Sequence, residues 1–322
     1  MTSAVPVGRT VHVKVPATSA NLGPGFDTLG LALSFYDELD VTAVAATGAR
    51  VTVHGVGEGE VATDETNLVV QAIAYTFADQ RQEMPGIEVI ARNIIPHGRG
   101  MGSSGAAIVS GIMAAKGLLE GVVVLDSDDL LRIATEMEGH PDNVAPALFG
   151  GLTIAWVEPH ASGADDSPLR PRSKKLMVHR GVSPVVFVPE HTMSTRLARS
   201  LQPQSVPHED AVFNVSRSSL LIAALIQSPE LLFAATEDKL HQNYRAAAMP
   251  ETSALIALLR SHGYAAVVSG AGPSVLVLCS DPAQRLAAAD LVEREAPTPW
   301  RAHMLAVDFK GATVGTASRG TA

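Results

Sequence analysis

The sequence predicts an α+β protein of two domains. Three observations carry that reading: the chain opens with several strands before its first helix, its composition breaks between residues 158 and 173, and strands resume directly after the break. Of 322 residues, 46% are hydrophobic and 18% charged, enough to bury two cores of ordinary size and unlike a disordered or fibrous chain.

In order, the alternation in 10–15 reads as a strand with one apolar face, running into a turn-rich loop over 16–27. Strands are expected at 29–34, 38–45, 50–55 and 87–91, with a helix at 66–78 between the last two. A small-residue helix follows at 103–119 and another at 128–137, with Ser127 as its cap. The Pro, Ser, Asp and Gly of 158–173 offer little to bury, which divides the chain into an N-terminal domain, 1–165, and a C-terminal domain, 166–322. Beyond it come a strand at 184–188 and helices at 194–201, 210–226 and 251–261. Strands at 264–269 and 274–279 flank Gly270-Ala271-Gly272-Pro273, and a helix at 283–293 precedes a strand at 302–307, an order compatible with a split βαβ sheet. The Gly, Ala, Thr and Ser after Lys310 read as a frayed tail.

Charge and composition exclude several functions. Lys plus Arg number 24 against 33 for Asp plus Glu, a formal charge of −9, which argues against a nucleic-acid partner. Residues 1–10 hold no secretory apolar run, and the bland stretch 105–115 is cut by Lys116, short of the ~20 residues of a membrane helix. One cysteine, Cys279, cannot form an internal disulfide and fits a reducing compartment. A cytoplasmic protein with no membrane partner is the expectation.

The most informative segment is Pro96-His97-Gly98-Arg99-Gly100-Met101-Gly102-Ser103-Ser104-Gly105, which follows a strand and opens a helix. Alternate glycines admit a ligand close to the backbone, and a helix N-terminus offers unpaired N–H groups to an anion such as phosphate. The Lys of a Walker A loop is missing. Gly100 to Gly105 also fits the dinucleotide fingerprint, with 122–125 as the next strand and Asp126 at its end, which would make an oxidoreductase. Against it, residues 93–99 intervene between the strand and the fingerprint.

Three further polar, glycine-bearing loops accompany this one: Asn21 to Asp27, Glu138-Gly139-His140-Pro141-Asp142-Asn143-Val144-Ala145-Pro146, and Ser269 to Ser274. Together the four resemble the GHMP kinases over nearly the full length, and residues 16–27 with 140–146 resemble the homoserine kinase family among them. Arg99 stands where that family usually has a small residue, and Met101 where it usually has Leu.

The resemblance implies an N-terminal domain like the second domain of ribosomal protein S5, a ferredoxin-like C-terminal domain, and an active site between them. It implies transfer of the γ-phosphoryl group of ATP, with Mg²⁺, to the side-chain hydroxyl of L-homoserine in threonine biosynthesis, by a homodimer. Pro96 to Gly105 with Ala106 would cradle the nucleotide, and Ser104 and Glu138 would hold the metal, with Glu136 as the fallback. Asp27 would meet the substrate ammonium, and Asn21, His140, Asn143, Thr195, Arg199, Arg245 and Gly270 would complete the acceptor pocket. Asn143, His140 and Arg199 would be the catalytic set. Where mevalonate kinase and galactokinase carry an aspartate base, this chain has Asn143, so transfer without a dedicated base is expected. A different GHMP acceptor, or a silent regulatory relative, remains open at this point.

Overall fold

The computed structural model describes residues 5–158 and 170–316. The first half runs β1 (Thr10–Ala20), β2 (Leu29–Val44), β3 (Ala49–Gly55), α1 (Leu68–Asp79), β4 (Gly86–Asn93), α2 (Ser103–Leu118), α3 (Ser127–Glu138), α4 (Pro141–Phe149), β5 (Leu152–Glu158) and β6 (Arg170–Leu176). The second runs β7 (Ser183–Val188), α5 (Thr195–Ser200), α6 (His208–Ile226), α7 (Leu232–Ala235), α8 (Gln242–Arg245), α9 (Pro250–Ser261), β8 (Ala266–Val268), β9 (Val275–Cys279), α10 (Pro282–Glu295), β10 (Arg301–Met304) and β11 (Thr313–Thr316).

Two sheets result. The larger has the order β11-β1-β2-β4-β3, with β5 on the first part of β2 and β6 beyond it; only β3 and β4 pair in parallel. The smaller has the order β10-β7-β9-β8, all antiparallel. Fourth, first, third, second is the strand order of a split βαβ sheet, with which the sequence pattern is compatible. Cys279 is buried at the end of β9, where desolvation pushes its thiol up to about 12.

Several elements differ from expectation for identifiable reasons. The two strands expected at 29–34 and 38–45 are one, because a register shift between Pro16 and Ala17 lets the β1–β2 ladder bend without breaking. The loop expected from Pro16 begins instead at Asn21, since β1 continues to Ala20 with every residue from Val15 buried. Helix α4 was hidden by its prolines: Pro141 sits in the first turn, where no N–H is needed, and Pro146 lies inside a helix of only nine residues. Gly30 of β2 admits α4, since a Cβ there would lie 2.0 Å from the Asp142 carbonyl oxygen and 2.6 Å from Pro146 Cγ.

The cap of α3 is Asp126, not Ser127; its carboxylate accepts from the amides of Asp128 and Asp129 in a capping box. Residues 122–125 form no strand, so the dinucleotide reading loses both its second strand and its acidic residue. The tail expected to fray after Lys310 supplies β11, paired with Val11 to Lys14, and Gly311 N donates to Asp308 Oδ1 at 2.6 Å. Strand β6 still belongs to the first sheet, so the sheets change over between Leu176 and Ser183. Residues 159–169, within the expected division, lie outside the described residues, as do 317–322.

One buried acid fixes the approach to the glycine-rich segment. Asp37 Oδ1 accepts from Ile94 N at 2.6 Å and Ile95 N at 2.9 Å, just after β4. Burial pushes its carboxyl from 3.8 up to about 6, against the lowering pull of those two amides. A value higher folded than unfolded favours folding most below about pH 4, and that contribution is lost as pH rises through about 6. Asp37→Asn keeps the Oδ1 acceptor without the charge. Relative to the unmodified chain, it is expected to be about 2 kcal/mol more stable at pH 8 than at pH 4 in urea melts; an offset independent of pH contradicts this.

Candidate active site

Where β1 ends, Asn21 and Leu22 enter the left-handed region with φ of 70° and 52°. Asn tolerates that backbone; a buried Leu does so only when its surroundings enforce it. Asn21 Oδ1 accepts from Asp27 N and its Nδ2 donates to Gly270 O, both at 2.9 Å. One side chain thus fixes the loop carrying Asp27 and ties it to the C-terminal half.

The glycine-rich loop approaches from the other side. Gly100 and Gly102 both have φ of 71°, and a Cβ would fall 2.1 Å from Ser269 O at Gly100 and 2.0 Å from Thr18 Oγ1 at Gly102. Only glycine fits either place. Gly102 is also the N-cap of α2 and brings no capping side chain, so the first amides of α2 keep their donors for a ligand.

Three pairs of side chains face this loop. Ser104 Oγ donates to Glu138 Oε2 at 2.8 Å, from the first turn of α2 to the last of α3. Burial raises the Glu138 carboxyl, which the Ser104 hydroxyl partly opposes. His140 Nδ1 lies 2.5 Å from Asp142 Oδ1; burial lowers the imidazole, but the hydrogen bond and charge of Asp142 raise it more, and the net shift is upward. From α5, Arg199 grips Asp27 with both terminal nitrogens, at 3.2 and 3.0 Å. Arg245, 2% exposed, donates to Gly270 O at 3.3 Å and lies over the Phe26 ring, and burial lowers its pKa. Asn143 Oδ1 accepts from Thr18 Oγ1 at 2.9 Å, leaving its Nδ2 free to donate.

All eight residues expected to bind acceptor line a single cleft of about 790 Å³, counting its open mouth, together with Gly98, Gly100, Gly102, Ser103, Ser104 and Glu138. Past Ser103 and Ser104 lies a second pocket of about 910 Å³ walled by Val51, Val53, Val61, Leu68 and Val89, with His97 at its edge. Its apolar walls suit a planar base next to a phosphate loop. Burial lowers the His97 pKa, which keeps that edge uncharged.

Not every side chain of the glycine-rich segment joins the site. Met101 is wholly buried and packs in the core. Arg99 turns to the carbonyls of Pro189 and Glu190, and Pro96 lines the same groove between the domains. Gly105 and Ala106 are buried in α2 and offer only backbone. Glu136 is engaged by Tyr75 and Arg132, which leaves Glu138 as the acid at Ser104. The sequence missed Thr18, which holds Asn143, and His241, wholly buried, whose Nε2 donates to Gly23 O at 2.7 Å while its ring stacks on Phe26. Neither gave a signal beyond its neighbourhood: Thr18 sits in a loop-like run, and His241 beside Arg245.

Comparison with known proteins identifies the family. The family model for the GHMP kinases N terminal domain matches residues 67–151, and that for the GHMP kinases C terminal matches 221–298. A homoserine kinase from Clavibacter michiganensis is 70% identical over 322 residues, 100% of this chain and 99% of that one. One from Leifsonia xyli is 73% identical over 307 residues, 95% of this chain and 92% of that one. The crystal structure of homoserine kinase from Cytophaga hutchinsonii superposes with a TM-score of 0.80 at 26% identity, over 95% of this chain and 97% of that one. A Leishmania major mevalonate kinase shares the fold, with a TM-score of 0.70 at 15% identity over 96% of this chain and 100% of that one.

Gly102→Ala tests the close approach. A left-handed alanine costs about 1–2 kcal/mol by itself, and its Cβ would displace Thr18 from Asn143. Urea unfolding should show a loss of at least that size; unchanged stability contradicts the packing described.

Proposed function

The chain belongs to the homoserine kinase family of the GHMP kinases, and from that premise we propose how its cleft carries out the reaction. The enzyme transfers the γ-phosphoryl group of ATP to the side-chain hydroxyl of L-homoserine, giving O-phospho-L-homoserine for threonine biosynthesis. The observation that supports the site assignment is the convergence on one cleft of a glycine-rich anion cradle, a hydroxyl–carboxylate pair and an acid–guanidinium pair.

Phosphoryl transfer asks chiefly for alignment and for charge to be met where it accumulates. The free amides at the start of α2, with Ser103, receive the phosphates, and the neighbouring apolar pocket receives the adenine. Asp27 takes the ammonium of homoserine; Arg199 and Arg245 take its carboxylate, a match of fork to planar anion. Thr195 and Asn21 close the pocket around the carbon chain.

Mg²⁺ suits Ser104 and Glu138, because it takes oxygen ligands and keeps several waters, so one hydroxyl and one carboxylate suffice. Among the described residues no cluster of three or more His, Cys, Asp or Glu could hold a metal, so the ion would complete its shell with phosphate and water. When bound it neutralises phosphate charge. The residues themselves do the rest. Asn143 Nδ2 orients the acceptor hydroxyl, and His140, whose pKa Asp142 raises against burial, lines the cleft where its protonated form would meet the developing charge. Asp142 is committed to His140 and 2% exposed, so it is not the base. The hydroxyl proton passes to a phosphate oxygen. The same reading carries the homodimer and the cytoplasmic setting of the resemblance; among the described residues no helix is long and apolar enough to cross a membrane.

An ADP-release assay with Mg·ATP tests this. Turnover should require L-homoserine and fail with mevalonate, galactose or shikimate, and Ser104→Ala and Glu138→Gln should each lower kcat by about 100-fold. Rates with another acceptor exceeding those with homoserine would refute the substrate assignment. Asp142→Asn should keep kcat within about tenfold. Because Asp142 raises the His140 pKa, its loss should move the alkaline limb of the pH profile to lower pH. Abolished turnover in a folded variant with intact substrate affinity would identify Asp142 as the base.

A further inference from the structure

The glycine-rich loop has little stiffness of its own, since Gly98, Gly100 and Gly102 have φ of 62°, 71° and 71°. Thr18 N holds it from the N-terminal half, donating to Met101 O at 3.1 Å, and three attachments hold it from the C-terminal half. Met193 N donates to Gly98 O at 2.9 Å. Ser269 Oγ donates to Gly100 O at 2.6 Å. Between them, Arg99 spreads its guanidinium over three carbonyls: Nε to Pro189 O at 3.0 Å, Nη2 to Glu190 O at 2.5 Å, and Nη1 back to His97 O at 3.2 Å.

The far end of that fork matters. Pro189 and Glu190 follow β7, and the same short segment runs through Met193 to Ser194, which caps α5 by accepting from Leu197 N. Helix α5 carries Thr195 and Arg199, both on the acceptor side of the cleft. Among the described residues Arg99 forms no ion pair; each of its partners is a backbone carbonyl. A grip on backbone fixes the position of the segment regardless of its side chains. Only a planar, multiply donating group spans acceptors on both strands of the joint at once; an ammonium is a point donor on a flexible stem.

We infer that Arg99 is a positioning residue that couples nucleotide binding to acceptor binding. A nucleotide that orders the glycine-rich loop also orders 189–195 through Arg99, and so presets Arg199 for the acceptor carboxylate. By linkage the acceptor favours the nucleotide to the same degree. The inference rests on the assignment of nucleotide to the loop and acceptor to the α5 side. It accounts for a long charged side chain set between Gly98 and Gly100. The Met193 and Ser269 attachments survive its removal, so losing Arg99 weakens the coupling rather than the loop itself.

Titration calorimetry on the full chain with a non-hydrolysable ATP analogue, with and without L-homoserine, tests this in the unmodified protein, Arg99→Ala, Arg99→Lys and Glu190→Ala. In the unmodified protein homoserine should tighten the analogue about fivefold or more. In Arg99→Ala that factor should fall to within about twofold of none, while the affinity for either ligand alone changes less than about threefold. Arg99→Lys should restore part of it and carries the test if the alanine variant does not fold. Glu190→Ala should behave as the unmodified protein, because Arg99 uses the Glu190 carbonyl. Full coupling in a folded Arg99 variant, or none in the unmodified protein, overturns the inference. Failure of the unmodified protein to bind either ligand would instead overturn the site assignment, and the inference with it.

Discussion

The cleft depends on two backbones that touch. Gly100 and the Ser269–Gly270 turn lie so close that a Cβ on Gly100 would sit 2.1 Å from Ser269 O, and one on Gly270 3.2 Å from Gly100 O. Around that joint Gly270 N donates to Ala20 O at 3.1 Å and Asn21 Nδ2 donates to Gly270 O at 2.9 Å. The end of β1, the glycine-rich loop and the turn between β8 and β9 are therefore one hydrogen-bonded knot. Side chains of the cleft hang from its rim: Asp27 beyond Asn21, Ser104 beyond Gly102, and Arg245 against Gly270 O. Cleft geometry follows from glycines that could not be anything else.

The electrostatics follow a second pattern, in which the acidic groups of the cleft are already engaged. Asp27 has Arg199, and His140 has Asp142; Glu138 holds the Ser104 hydroxyl. The Asp27–Arg199 pair is about 40% exposed on both sides, so it contributes no more than about 1 kcal/mol and exchanges readily. On the proposed assignment, a zwitterionic amino acid would supply one new partner to each member. The buried His140–Asp142 pair is different. Burial lowers that imidazole, and the hydrogen bond and charge of Asp142 raise it more.

Much of this was legible in the residues. Strong alternation and periodicity give most of the strands and long helices, and residues of all four polar glycine loops line one cleft. What escaped had physical causes. Helix α4 contains two prolines that read as breakers, yet one occupies a first turn and the other a short helix packed on Gly30. Strand β11 is a ladder of small residues whose place comes from β1, a partner some 300 positions away in sequence. Within the site, the family resemblance counts Arg99 and Met101 among the residues of the nucleotide loop. Only coordinates separate backbone that faces a ligand from side chains that face the core or the other domain. Side-chain direction is set by tertiary packing, and spacing does not encode it.

The most direct measurement is a crystal structure of the chain with L-homoserine and a non-hydrolysable Mg·ATP analogue. The account predicts that Asp27 leaves Arg199 for the homoserine ammonium and that Arg199 and Arg245 bind its carboxylate. The γ-phosphate should lie over the first amides of α2, with the metal between Ser104 and Glu138. An intact Asp27–Arg199 pair with the amino acid bound elsewhere, or phosphates away from the glycine-rich loop, would contradict it.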